Sequence, residues 1–539
     1  MTSKNPSSIF KDTLAVQQLQ DGSRRFTLEF GLFIALLFGS FLVMVNDLKY
    51  NTLFLDEAIN AVIGGDFLLG NNSRNALTFH FGSYLYPALS AIMNKIGGIT
   101  AMRLTSTVLI CLAAVFVYLT ARKLFGHKAA LFSILLFSFS GNILNLGQLA
   151  VYDALALPFL AAAFYLLVLA SISDKRQRRL LFASSACTVL ATLSKYIGLI
   201  YIPALFMTAL VLLLLRGVSL RLAAGKLFNY FLLPVALALS FYGAVFWREL
   251  VQVFQEQGFS PAPRWLILKI IGQEIGIIVF LALAGIVLLL YVIIWNRNPI
   301  SQEQLFNGKM RFDWSALSRI NRIILFLALS LLFLTWLAAP FQQLLTANNR
   351  SLWKNCAYSL VFLAPIAGYL LSVLIEYIRS RKLPFNVIGL VLFVAGVLYF
   401  ADKSLDSNWS FHGSWPNTTG VITYLQDADL DENSRILAEG MDIYEYYLDS
   451  GRDVHPAWDN FWYMDYGGVS GQEGVLAAIH DRAFDYIIIE DYYFPGLRER
   501  VNSLLAETGY VSSWQETQTL RSGDTILLQI FTQRNDGLR

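Results

Sequence analysis

TAMRLTSTVLICLAAVFVYLTARK, residues 100–123, holds more than twenty predominantly apolar residues and closes on Arg122-Lys123. A helix of about 17–25 such residues crosses roughly 30 Å of hydrocarbon. The two cations at its end mark that end as cytoplasmic by the positive-inside rule. The same pattern recurs near residues 30–45, 129–146, 151–173, 180–194, 197–215, 227–247, 272–295, 323–340, 356–378 and 385–401. The length criterion therefore predicts about eleven transmembrane helices.

Composition agrees, with 56% of the 539 residues hydrophobic and only 15% charged, well outside the range of soluble domains. A transmembrane β-barrel would alternate apolar and polar residues instead of running apolar. The formal net charge of +3 is too small to indicate nucleic acid as a partner. Cys111, Cys187 and Cys356 lie in or beside apolar runs, so neither a disulfide framework nor a cysteine-type zinc site is indicated.

Residues 1–25 are polar and end on Arg24-Arg25, directly before the first apolar run, which makes a cytoplasmic N-terminal segment followed by an uncleaved anchor. Residues 47–99 then form a large first external loop. Residues 81–98 are moderately apolar but include Tyr84, Pro87, Asn94 and Lys95. If they crossed, the basic loops at Arg122-Lys123 and Lys175 to Arg179 would fall outside, so they are expected to lie in the interface. The membrane domain then spans residues 26–401. After Asp402 the Leu-rich runs give way to Asp, Asn, Trp and Tyr, with strand patterns at 436–438, 486–489 and 526–531 and helical patterns at 473–483 and 497–507. Residues 402–539 therefore read as an external soluble α/β domain.

Charges at membrane depth, or crowded into loops that emerge from it, are expensive unless they have a partner or a task. Asp56-Glu57 stand early in the first external loop among apolar neighbours. They suit either the solvated face of an amphipathic helix or a general base near a reaction centre. Asp153 opens the crossing after the second external loop, where it is a helix N-cap or a second member of the same site. Lys195 lies outside at a tight helical hairpin, as an anion ligand or a snorkelling cation. Arg350 and Lys354 raise the same question, and His80 precedes the interfacial segment without a second histidine at metal-ligand spacing.

Asp56-Glu57, then His80-Phe81-Gly82-Ser83-Tyr84-Leu85-Tyr86-Pro87, then Arg103-Leu104 opening the crossing that ends Ala121-Arg122-Lys123-Leu124-Phe125-Gly126, then Asp153, then Leu193-Ser194-Lys195, stand in an order that resembles glycosyltransferase family 39. These are GT-C-fold enzymes that include protein O-mannosyltransferases and lipid A aminoarabinose transferases. The resemblance covers roughly residues 30–400 and implies a polytopic α-helical GT-C-like catalytic domain with interfacial helices. It also implies inverting transfer of a sugar from a polyprenyl-phosphate donor to a lipid, glycan or protein acceptor, with Asp56 as base. The aminoarabinose transferases carry Arg-Tyr shortly after the acidic pair and Lys-Pro-Pro before the interfacial helix. This sequence has Ile59-Asn60 and His80-Phe81-Gly82 there, so their substrates do not transfer to it.

The residues suit that chemistry. A phosphate leaving group needs no proton, but its developing charge must be stabilised, for which Lys195, Arg350, Lys354 and His80 are the candidate ligands. Asp56, Glu57 and Asp153 are the candidate catalytic carboxylates, and a divalent cation bridging Asp56 and Asp153 stays open as an alternative. A secondary transporter or flippase would show broken helices near the midplane and symmetric halves, and no internal repeat is visible. A non-enzymatic scaffold is the third reading. The expected location is a bacterial inner membrane, with membrane lipids around the chain.

Overall fold

The computed structural model describes residues 28–70, 77, 82–173, 175–255, 261–294, 331–449, 455–461, 464–494 and 496–534. Long apolar helices dominate the first part of the chain. They are α1 (Leu28–Val45), the short amphipathic α2 (Leu55–Leu69), α3 (Leu85–Phe125), the pair α4 (His127–Ser138) and α5 (Gly141–Gln148), and α6 (Asp153–Ile172). Then follow α7 (Gln177–Ser194), α8 (Ile202–Leu215), α9 (Leu220–Val245), α10 (Arg264–Ile294), α11 (Leu352–Arg379) and α12 (Phe385–Phe411).

Among the described residues eight helices are long and apolar enough to cross a membrane, or nine if α4 and α5, bent by 61°, form one broken span. The expectation of about eleven differs from this in two identifiable places. The run at 180–194 forms α7, but Gln177, Arg178 and Arg179 in its first turn and its many Ser and Thr residues lower its hydropathy. Of the run at 323–340, residues 323–330 lie outside the described residues, which leaves too short a stretch to count as a span.

The interfacial stretch has a structural counterpart. Gly97 (φ −162°, ψ 27°) and Gly98 (φ 61°, ψ −153°) break α3. Gly98 sits in a left-handed region that a residue with a Cβ occupies only under strain. The limb before the break, residues 85–96, is about 18 Å long at 1.5 Å per residue, too short to cross the hydrocarbon. α2 packs against α3.

The helices surround a continuous apolar core in which α11 is central: 83% of its hydrophobic window is buried, against 6% for α12 on the periphery. Charge divides between the two ends of this bundle. At one end Lys128 pairs with Glu376 (2.8 Å), Arg216 donates to the Ser171 carbonyl (2.7 Å) and Lys226 donates to Gln177 (2.8 Å). Asp153, Lys195 and Lys354 stand at the ends of α6, α7 and α11 opposite Ser171, Gln177 and Glu376, and Arg103 stands on α3 opposite the Arg122 and Lys123 of its last turn.

The C-terminal domain joins that second end. α12 continues to Phe411, past the composition break at residue 402, and delivers the chain to a five-stranded sheet of order β2-β1-β5-β7-β6. The strands are β1 (Arg435–Ala438), β2 (Ala457–Asn460), β5 (Tyr486–Ile489), β6 (Tyr510–Thr519) and β7 (Thr525–Gln533), while β3 (Asp465–Tyr466) and β4 (Val469–Ser470) form a separate hairpin. β1 runs parallel to β2 and β5, and β7 runs antiparallel to β5 and β6. The sheet buries an apolar core on each face. Helices α13 (Thr419–Asp427) and α14 (Met441–Asp449) contribute to one core, and α15 (Gln472–His480) and α16 (Leu497–Glu507) to the other.

The separation of charge fixes an expectation for orientation. In a variant without native cysteines, a single cysteine at position 178 should react with an impermeant maleimide only after permeabilisation. One at position 473 in the C-terminal domain should react on intact cells or spheroplasts. Labelling of position 178 from outside would reverse the topology.

Candidate active site

α2 starts early in the segment that links α1 to α3, and its two acidic residues face different surroundings. Glu57 is fully buried. One carboxylate oxygen accepts from Arg103 Nε (2.9 Å) and from the backbone N–H of Ala150 (2.8 Å). The other accepts from Arg103 Nη2 (2.7 Å) and from the backbone N–H of Phe54 (2.9 Å), closing the first turn of the helix. Arg103, equally buried, also donates to the carbonyls of Leu48 (2.9 Å) and Thr52 (3.3 Å), and its guanidinium lies 4.5 Å from the Tyr50 ring centroid. This bidentate pair, ringed by hydrogen bonds, holds the loop and α2 against α3 and the turn that precedes α6.

Asp56, one residue earlier, keeps 28% of its side-chain surface accessible and forms an ion pair with Lys354 in the first turn of α11. It lies in the first turn of α2, where the helix dipole favours an anion. Lys354 is nearly buried, and its ammonium lies 5.1 Å from the Phe54 ring centroid and 5.6 Å from that of Trp353.

A second pair lies beside the first. Lys195 donates to Asp153 Oδ1 (2.6 Å) and to Asn355 Oδ1 (3.1 Å). Its ammonium lies 5.0 Å from the Tyr152 ring centroid, and Tyr358 donates to the same Asp153 oxygen (3.1 Å). Asp153 is fully buried, and its other oxygen, Oδ2, has no hydrogen-bond partner among the described residues. The start of α6 shows no side-chain capping bond, so Asp153 spends its carboxylate on Lys195 and Tyr358 instead of the backbone. Lys195 turns its ammonium inward and does not snorkel to water.

The two pairs share one electrostatic environment, because Lys195 is within reach of the charges of Lys354 and Asp56 as well as Asp153. Tyr152 feels Asp56, Asp153 and Arg350 together. Arg350 is exposed, with its backbone bonded to Gln343 and Asn348, and so sits at the rim. His80 lies outside the described residues. The structure thus assembles Asp56, Asp153, Lys195 and Lys354 into one polar cluster and sets Glu57 apart with Arg103.

Four participants are not among the candidate site residues that the sequence suggests. Arg103 carries the signal of a charge inside an apolar run, whereas Tyr152, Asn355 and Tyr358 resemble any polar residue near a helix end. No three His, Cys, Asp or Glu side chains converge among the described residues, and each cluster carboxylate already faces an ammonium. A bridging cation would have to displace both lysines.

By sequence, residues 81–242 match the family model for dolichyl-phosphate-mannose-protein mannosyltransferase, a segment that includes Arg103, Asp153 and Lys195 but not Asp56. No curated protein sequence matches the chain. By fold it is similar to ArnT from Cupriavidus metallidurans in the apo state, at 13% identity over 94% of this chain and 98% of that one, with a TM-score of 0.53. The same protein bound to undecaprenyl phosphate matches at 12% identity over 93% and 98% of the two chains, with a TM-score of 0.50. The oligosaccharyltransferase of Archaeoglobus fulgidus in the apo form matches at 14% identity over 94% and 75%, with a TM-score of 0.52. At such identities the likeness is one of fold.

Removing half of the Glu57–Arg103 pair strands a buried charge, which typically costs about 3–5 kcal/mol. Arg103→Leu should therefore lower the thermal midpoint of the purified protein sharply. The double variant Glu57→Leu with Arg103→Leu should recover part of the loss. A single variant as stable as wild type would show that the pair does not anchor the loop.

Proposed function

We propose that this chain, which has the fold of the GT-C glycosyltransferases, transfers a sugar from a polyprenyl-phosphate donor to an acceptor hydroxyl. The reaction takes place at the end of the bundle that carries the C-terminal domain. The observation that supports this reading best is the meeting of two carboxylates and two ammonium groups, contributed by four separate segments, in one polar cluster at the helix ends. Such a cluster suits a substrate that brings an anionic phosphate beside a hydroxyl to be deprotonated.

Asp56 is the base. It is the more accessible of the two cluster carboxylates, with 28% of its side chain exposed against 0% for Asp153. Lys354 holds it in the absence of substrate, and a donor phosphate competes for that ammonium. When Lys354 turns to the phosphate, Asp56 is free to take the acceptor proton. The acceptor oxygen then bonds to the anomeric carbon from the face opposite the phosphate. The old carbon–oxygen bond breaks, its electron pair leaves with the phosphate, and a single displacement of this kind inverts the configuration.

Lys354, Lys195 and Arg350 meet the charge that grows on the phosphate. Asp153 keeps Lys195 in place and offers Oδ2 to a ligand. Glu57 is a positioning residue, since its oxygens are occupied by Arg103 and two backbone N–H groups. Nucleotide sugars are confined to the cytoplasm, so a carrier-linked donor fits a site on the outer face of a bacterial plasma membrane, with the C-terminal domain outside.

Asp56→Asn keeps the shape and removes the base. Turnover with a polyprenyl-phosphate sugar should fall about 100-fold or more, with undecaprenyl phosphate binding little changed. Lys195→Ala should weaken that binding and also slow transfer. Near-normal transfer by Asp56→Asn would remove the base from this residue, and unaltered binding and rate in Lys195→Ala would remove the phosphate from the lysine.

A further inference from the structure

β1 and β5 lie side by side and parallel in the C-terminal sheet. The chain leaves β1 for β2 on one side and returns to β5 on the other, which makes a topological switch point. In open α/β sheets ligands bind at such a point, beyond the carboxyl ends of the strands. Here each of those ends carries a buried glutamate, Glu439 after β1 and Glu490 after β5.

The two glutamates are engaged differently. Glu439 accepts the backbone N–H groups of Glu490 (2.9 Å), Asp491 (2.7 Å) and Phe494 (3.1 Å), so it folds the loop that follows β5. Glu490 accepts the hydroxyl of Tyr444 on one oxygen. Its other oxygen, Oε2, has no partner among the described residues, although the residue is fully buried. The hydroxyl of Tyr493, in the loop that Glu439 folds, also has none. A Cβ at Gly440 would stand 2.9 Å from Glu490 Oε1 and 3.2 Å from Tyr493 Cε2, so these two side chains converge where only a glycine lets them approach. Unspent buried hydrogen-bonding groups are rare and point to a missing partner.

The crevice faces the membrane domain. Ile443 and Tyr493 belong to one apolar cluster with Leu53, Leu55 and Ala58 of the loop and α2. Tyr447 accepts the N–H of Leu53 (3.2 Å), and Tyr446 donates to Asn94 (2.7 Å). Tyr493 is also within electrostatic reach of Asp56.

We propose that this crevice is the acceptor subsite, and that it takes an uncharged, hydroxyl-rich sugar. Glu490 and Tyr493 hold one hydroxyl of the acceptor while a neighbouring hydroxyl faces Asp56. The proposal rests on Asp56 as the base. Burial and the neighbouring Glu439 push the Glu490 carboxyl up to about 8, so at neutral pH it keeps its proton and can donate as well as accept. Tyr492 and Tyr493, 4.9 Å apart and edge to face, add aromatic surface of the kind that packs on the C–H face of a sugar ring. Glu439 bears electrostatically on both Glu490 and Tyr493, and Asp56 on Tyr493. The Arg498 guanidinium, which lies within electrostatic reach of Glu439, is turned to the Leu527 carbonyl and Gln529. The field at the two binding groups thus favours a neutral acceptor over one bearing phosphate or carboxylate groups. Glu490 is closed from solvent and Tyr493 only half-buried, so the sugar enters past Tyr493.

Saturation-transfer NMR on the full chain in nanodiscs tests this with methyl α-mannoside and methyl β-glucoside as neutral probes and glucuronate as the anionic one. At least one neutral glycoside should bind. Its affinity should fall about tenfold in both Tyr493→Phe and Glu490→Gln, the loss expected for one hydrogen bond to a buried group. Undecaprenyl phosphate binding should be unchanged in both, which also shows that they fold. The proposal is overturned if neither neutral glycoside binds, if glucuronate binds more tightly, if both variants bind like wild type, or if Tyr493→Phe loses undecaprenyl phosphate as well. Asp56→Asn separates the two levels of inference. If it still transfers sugar, the base is elsewhere, whereas its glycoside binding reports on the crevice alone.

Discussion

A carboxylate and a guanidinium with no access to water, Glu57 and Arg103, set the geometry of everything above them. Two ions in a low-dielectric interior are tolerated only when their remaining hydrogen-bonding capacity is filled. That requirement makes the pair an organiser. Glu57 fills its lone pairs from Phe54 and Ala150, and Arg103 spends its spare N–H groups on the carbonyls of Leu48 and Thr52. The segment after α1, the start of α2, the Arg103 region of α3 and the turn before α6 therefore cannot move independently.

The neighbouring residue gains its chemistry from this arrangement. Successive residues of a helix point about 100° apart. With Glu57 turned inward to Arg103, Asp56 turns to the rim and meets Lys354. Two identical functional groups at adjacent positions thus acquire opposite characters, one locked and satisfied, the other partly accessible and paired with the Lys354 ammonium. A similar division separates Asp153, enclosed with Lys195 and Tyr358, from Arg350 at the mouth.

The C-terminal domain is built onto the same loop. Trp415, almost fully buried, donates to the Thr52 carbonyl (3.2 Å), and Asn51 donates to the Trp415 carbonyl (3.0 Å). The Thr418 N–H donates to the Thr52 hydroxyl (3.2 Å). The first of these contacts uses the same Thr52 carbonyl that Arg103 holds. The domain is therefore registered against Asp56 to within a hydrogen bond, and a crevice at the carboxyl ends of its parallel strands comes to face a helix of the membrane domain.

Much of the architecture was legible along the chain, because membrane thickness imposes a length on every crossing and lysine and arginine bias its orientation. The apolar run at 100–123, the composition break near residue 402 and the strands at 436–438 and 486–489 are local features, readable from a window of residues. Strand β6 was not, since its polar, half-exposed residues lack the apolar alternation of β7. Single costly charges such as Asp56, Asp153 and Lys195 could also be picked out, because the penalty for a charge among apolar neighbours is written at the position itself. Their partners could not. Asp153 meets Lys195 across 42 residues, Glu57 meets Arg103 across 46, and Asp56 meets Lys354 across 298. Sequence alone determined a bundle of membrane helices with acidic and basic groups gathered at one end, and a soluble domain attached there. Only the packed structure decided which acid pairs with which base, and that Tyr493 stands within electrostatic reach of Asp56, because such pairing depends on distances that no local pattern encodes.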